Sequence, residues 1–150
     1  MRASVGVGSR AMAIIADYRV LSSTSFRLDP IAGPGERTEV SFSALLPAGV
    51  ALTDGNELLL QYQLHSAVVT GQGLQIGLAV DVNGVEVGRE MYFGNARTLF
   101  VQHIVATQHI SASSANTIRF RVVSPVTGAG DHVLFGRVVL WFQRDANAPG

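Results

Sequence analysis

The sequence predicts an all-β fold, a two-sheet antiparallel β-sandwich of the jelly-roll kind with an N-terminal arm, and three observations carry that expectation. Residues 132–144, His-Val-Leu-Phe-Gly-Arg-Val-Val-Leu-Trp-Phe-Gln-Arg, have strand composition over an unusual length. Residues 57–65 alternate strictly, with Leu58, Leu60, Tyr62 and Leu64 on one face and Gln61, Gln63 and His65 on the other. Asn83-Gly84 sits between two further alternating runs, the strongest short-range signal for a two-residue hairpin turn. No stretch carries the apolar period of a long helix.

The elements follow in order. Residues 1–37 are rich in Ser, Gly, Arg and Ala and end in Gly33-Pro34-Gly35, so they read as an arm and connector holding strands near 11–15 and 18–21. Residues 38–150 read as the sandwich domain. Its strands are expected at 38–45, around Val40 and Phe42, at 57–65, and at 75–82 with Ile76, Leu78, Val80 and Val82 inward. Val85 and Val87 continue the hairpin, 89–93 adds a short strand or loop, and 99–106, 117–123 and 133–143 complete about eight strands. In regular alternation the last would be apolar on both faces, Val133, Phe135, Val139 and Trp141 pointing one way and Leu134, Val138, Leu140 and Phe142 the other. Such a strand needs cover on both sides, from a neighbouring element or another subunit. An immunoglobulin-like sandwich is the main alternative, without the Cys pattern that marks those domains.

Composition points to assembly. Only 15% of the 150 residues are charged while 47% are hydrophobic, against roughly 25% charged in ordinary soluble domains. The formal net charge is zero and the isoelectric point about 6.9, so electrostatic self-repulsion is small. All 11 basic residues are arginine, matched by 11 acids and scattered along the chain; no phosphate-tracking stripe forms, and nucleic acid is not an expected partner. No apolar run is long enough to span a bilayer, and the short patch at 11–16, bracketed by Arg10 and Asp17, falls below a signal-peptide core. With no classical signal peptide, the expected location at synthesis is the cytoplasm.

No residue set demands catalysis. The chain has no Cys, which removes thiolate nucleophiles, thiolate metal sites and disulfides. His103 and His109 lie an even number apart, but six strand residues span about 20 Å, too far for one ion, and neither His65 nor His132 completes a ligand motif. No nucleophile elbow surrounds any serine. Glu86 and Glu90 flank the hairpin as solvated charges, not as a glycosidase pair. The expectation is a protein that is not an enzyme and has no cofactor or metal. The residues most suited to an assembly interface are Ile14, Ile15, Tyr18, Val139 and Trp141. The best ligand loop is Asn83 with Tyr92, Asn95 and Arg97, where aromatic and polar groups could meet sugar rings, unless Tyr92 and Phe93 simply plug the sandwich end.

Residues 80–87, Val-Asp-Val-Asn-Gly-Val-Glu-Val, with Asn116-Thr117-Ile118-Arg119-Phe120 and the closing strand resemble carbohydrate-binding and galactose-binding-like modules, a resemblance that implies glycan binding. The apolar closing strand is also similar to the last strands of tumour necrosis factor and C1q-like trimers. The size, the missing Cys, the neutral charge and the arm resemble the capsid decoration, or cement, proteins of tailed bacteriophages. That likeness implies a homo-oligomer, a trimer first of all, attached to a major capsid protein or another particle subunit at a virion or other extracellular particle surface.

Overall fold

Strand alternation becomes burial. The computed structural model describes residues 13–53, 55–68, 75–93, 98–123 and 130–148, and within them the chain forms nine strands: β1 Ile14–Ser22, β2 Phe26–Leu28, β3 Glu39–Ala44, β4 Leu58–Ala67, β5 Gln75–Val82, β6 Val85–Phe93, β7 Thr98–Val105, β8 Asn116–Val122 and β9 His132–Asp145. Leu58, Leu60, Tyr62 and Leu64 of β4 are fully buried, and the residues between them are partly exposed. The β5–β6 hairpin turns on Asn83 and Gly84, with φ of 50° and 84°, the two left-handed positions that a type I′ turn requires.

Two antiparallel sheets face each other in the order β1-β9-β4-β7, with β2 also paired to β9, and β3-β8-β5-β6. With β1 and β2 taken as one interrupted strand, this is the eight-stranded jelly-roll arrangement, and the sandwich expectation holds. Between the sheets Phe26 stacks on Phe135 at 4.6 Å, and Phe120 meets Tyr62 edge-on at 5.0 Å. These rings join the buried Leu, Ile and Val residues in one core. No α-helix occurs among the described residues.

Two expectations change. Strand β9 is apolar on both faces, but its residues divide between them differently from regular alternation. Tyr62 pairs with Val138, but Leu64 pairs with Phe135, so β9 carries one extra residue at Gly136–Arg137. This β-bulge shifts the phase of alternation. Val133 and Phe135 before it, and Val138, Leu140 and Phe142 after it, all enter the core, while Leu134 and Trp141 stay exposed outside. The second change concerns residues 1–37, expected as an arm outside the sandwich. Strand β1 pairs with β9 from Ile14–Asp145 to Ser22–Val138, and β2 adds Phe26 and Leu28 to the core. A boundary at 37/38 therefore falls between two strands of one sandwich. The composition of β1 concealed this, because its inward-leaning positions include Asp17 and Arg19, edge-strand charges that bind Arg144 and the Leu45 carbonyl.

Candidate functional site

The two outer faces of the sandwich have opposite chemistry. On the four-stranded sheet, Asp81 of β5 is almost fully buried beneath Arg119 and Arg121 of β8. Arg121 reaches on to Glu86, Glu86 also holds Arg89, and Arg119 approaches Glu39. The guanidinium N–H groups hold the Asp81 carboxyl below the usual carboxylate range, the Arg121 hydrogen bond being the largest cause and burial opposing it. The small residues Gly77 and Ala79 complete the outward side of β5, where Met91 and Val123 crowd Gly77. These charges satisfy one another and leave little for a ligand.

The outer face of the five-stranded sheet is built from other residues. Register aligns Tyr18 of β1, Trp141 of β9, Leu59 of β4 and Ile104 of β7 in one row across the strands. The next row is Val20, Val139, Gln61 and Gln102, and the one after brings the β9 bulge against Gln63 and Phe100. Phe100 is 74% exposed, Ile104 71%, Tyr18 55% and Trp141 36%. Burying such side chains is worth roughly 25 cal/mol per Å² of apolar surface removed from water, so an uncovered row of this kind favours a partner. Trp141 donates its indole N–H to Gln61 Oε1 at 2.9 Å, and its ring lies 5.0 Å from Tyr18 at 45°. Both contacts fix the indole at the surface. At the bulge the face sinks into two adjoining depressions of about 470 and 230 Å³ that share Ser25, Gln63 and Gly136.

This face gathers most of the expected interface residues: Ile14, Tyr18 and Trp141 stand exposed on it, and Val139 lies under its neighbours at 9% exposure. Ile15 points to the other side of the sheet with Arg144. Phe100, Ile104 and Arg137 were not singled out from sequence. The signal was present for the first two, since Phe100, Gln102 and Ile104 alternate with the more enclosed Val101, His103 and Val105.

Neither described residue of the expected ligand loop is free for a ligand. The Asn83 side chain is spent on the fold, donating to the His109 carbonyl at 2.7 Å and to Asn116 Oδ1 at 2.9 Å while its own Oδ1 accepts the Thr117 N–H. Tyr92 is buried, and its hydroxyl donates to Glu90 Oε2 at 2.8 Å, whereas its neighbour Phe93 stands 65% exposed. Asn95 and Arg97 lie outside the described residues. Beside Tyr92, the Tyr62 hydroxyl meets His103 Nε2 at 2.8 Å and also bonds Tyr92, and Glu90 Oε1 lies 3.6 Å from the same imidazole nitrogen. Burial pushes the Tyr62 and Tyr92 hydroxyls up and the His103 imidazole down, with Glu90 partly restoring the latter. This is a closed hydrogen-bond cluster sealing the β6–β7 edge. Among the described residues no three His, Asp or Glu side chains gather as a metal site.

No protein-family model and no curated protein matches the sequence. Solved structures align with it to different degrees. Dimeric latent PorU from Porphyromonas gingivalis aligns with 93% of this chain at 13% identity and a TM-score of 0.57; the chain spans only 14% of that protein. The CBM36-1 domain of a multidomain xylanase from the hindgut metagenome of Trinervitermes trinervoides aligns over 84% of this chain and 96% of its own length, at 10% identity and TM-score 0.46. The VP2 subviral particle of infectious bursal disease virus aligns over 99% of this chain and 38% of that one, at 14% identity and TM-score 0.44. At 13% identity the likeness to PorU bears on the fold alone.

Proposed function

We propose that the protein is a non-enzymatic structural subunit that self-associates through the apolar end of the five-stranded sheet's outer face and attaches to a larger particle, a tailed-phage capsid being the leading case. The observation that carries this reading is the Tyr18–Trp141–Leu59–Ile104 row, which crosses four strands without a charged residue. A second copy is the occupant that suits it: an uncharged row meets another protomer without like-charge repulsion, and the whole chain has zero formal net charge. A trimer is the expected order, with the particle subunit, such as a major capsid protein, engaged elsewhere on the protomer.

Analytical ultracentrifugation at micromolar concentration tests this reading. The expected result is a defined oligomer that Ile104→Glu converts into a folded monomer, since the substitution puts an uncompensated charge into the covered row. A wild-type protein that sediments as a monomer at every concentration overturns it.

A further inference from the structure

The β9 bulge does more than rephase a strand. Gly136 has no side chain, so the sheet surface is low there, and the Gln63 amide lies over the vacancy, its Oε1 only 2.8 Å from where a Cβ would stand. Around this low point the two depressions merge into a groove with Ser23 and Ser25 on one wall, Gln61 and Gln63 on the floor, and Phe100 and Trp141 at its ends. Hydroxyls and carboxamides are donors and acceptors suited to sugar hydroxyls, and exposed aromatic faces suit the apolar face of a pyranose ring. From strand spacing and rise, Phe100 and Trp141 stand about 16 Å apart, the span of a short oligosaccharide.

Arg137 narrows the class of ligand. It lines the groove, is exposed, and makes no ion pair with any described residue. The guanidiniums of the opposite sheet differ, because Arg89, Arg119 and Arg121 are all bound to carboxylates. A free planar fork of N–H donors beside neutral hydrogen-bonding groups matches a carboxylate on an otherwise neutral ligand.

We propose that the groove over the β9 bulge binds a carboxylated oligosaccharide, with Arg137 pairing the sugar carboxylate, Gln61 and Gln63 bonding ring hydroxyls, and Phe100 and Trp141 stacking on sugar faces. This goes beyond the assembly reading and shares only Trp141 with its row. The groove occupies the Gly136 end of the face and reaches the charge-free row at Trp141, which stands in both.

The test is titration calorimetry of the full chain with oligogalacturonate, oligomannuronate and oligosialate, with a neutral galacto-oligosaccharide and a glutamate-rich peptide as controls. Binding of at least one acidic glycan is expected, at least tenfold tighter than the neutral one and weakened by salt. Arg137→Gln should abolish that preference, Arg137→Lys should keep part of it, and Phe100→Ala should weaken binding tenfold or more. Melting temperatures should stay unchanged throughout. The proposal is overturned if no acidic glycan binds below millimolar concentration, if Arg137→Gln binds like wild type, or if the neutral sugar or the peptide binds as tightly. Sedimentation of the same samples separates the two readings: a monomeric wild type that still discriminates acidic from neutral glycans refutes self-association alone.

Discussion

Phe135 and Val138 lie three residues apart on one strand, yet both are fully buried in the same core. Regular alternation would put them on opposite faces; the extra residue at Gly136–Arg137 brings them together. Deleting Gly136 should therefore be far worse than substituting it. Deletion restores the simple period and turns Val138, Leu140 and Phe142 outward, and loss of cooperative thermal unfolding is expected. Gly136→Ala keeps the phase; the Gln63 amide must swing aside and the Gln63 Cβ, 3.1 Å from the new methyl, must give slightly, so it should cost about 1 kcal/mol. Melting curves of the two variants decide the matter.

Trp141 belongs to the outer face, not to the core. Read from sequence it suited either the sandwich core or an interface, and a core tryptophan cut to Ala would cost about 3–5 kcal/mol. With its ring partly exposed and held by Tyr18 and Gln61, Trp141→Ala should cost the protomer about 1–2 kcal/mol, mainly the aromatic pair and some apolar burial. Phe135→Ala, by contrast, should cost about 3–5 kcal/mol. Chemical denaturation at a concentration low enough to keep the protein monomeric is the appropriate measurement, since self-association would add a concentration-dependent term.

What could be read from the sequence was whatever is local. The alternation of β4 and the Asn83-Gly84 turn each depend on a few adjacent residues, and both stand where they were expected. The β9 bulge depends on how β4 pairs with it, and no residue within β9 announces that pairing. Membership of β1 in the sheet was hidden because an edge strand tolerates Asp17 and Arg19 where a central strand would need apolar side chains. The groove draws on β4, β7, β9 and the 23–25 segment, which converge only through the jelly-roll strand order. Asn83 illustrates the opposite error: an Asn in a hairpin turn looks free for a ligand until His109, Asn116 and Thr117 fold onto it.

His103 should make stability sensitive to mild acid. Burial, only partly offset by Glu90, lowers its affinity for a proton in the folded state, so the unfolded chain binds more protons once pH falls toward the ordinary histidine value of about 6.5. Stability contributed by the neutral imidazole is present above that value, declines as pH falls to the lower folded-state value, and changes no further below it. The carboxyls of Asp17, Asp81 and Glu86 are also held low by their arginines, but their contribution is lost only in stronger acid, from about pH 4 downward. Denaturant midpoints measured across pH should show two separate declines. His103→Gln should erase the first and leave the second.

Gly88→Ala tests how tightly the same edge is sealed. The His103 ring lies flat against the β6 backbone at Gly88, where an added Cβ would come within 2.5 Å of Nδ1 and 2.6 Å of Cε1. Unlike the Gln63 amide, this ring cannot swing away without giving up its bond to Tyr62 and leaving a buried hydroxyl short of a partner. Overpacking of this kind costs about 1–3 kcal/mol. The displaced imidazole should also gain solvent, so its proton affinity should move back toward that of an ordinary histidine. The expected outcome is a lower melting temperature at neutral pH together with a shallower first acid decline. A Gly88→Ala protein as stable as wild type, with an unchanged acid profile, would show that the ring has room to move and that the β6–β7 edge is looser than its geometry implies.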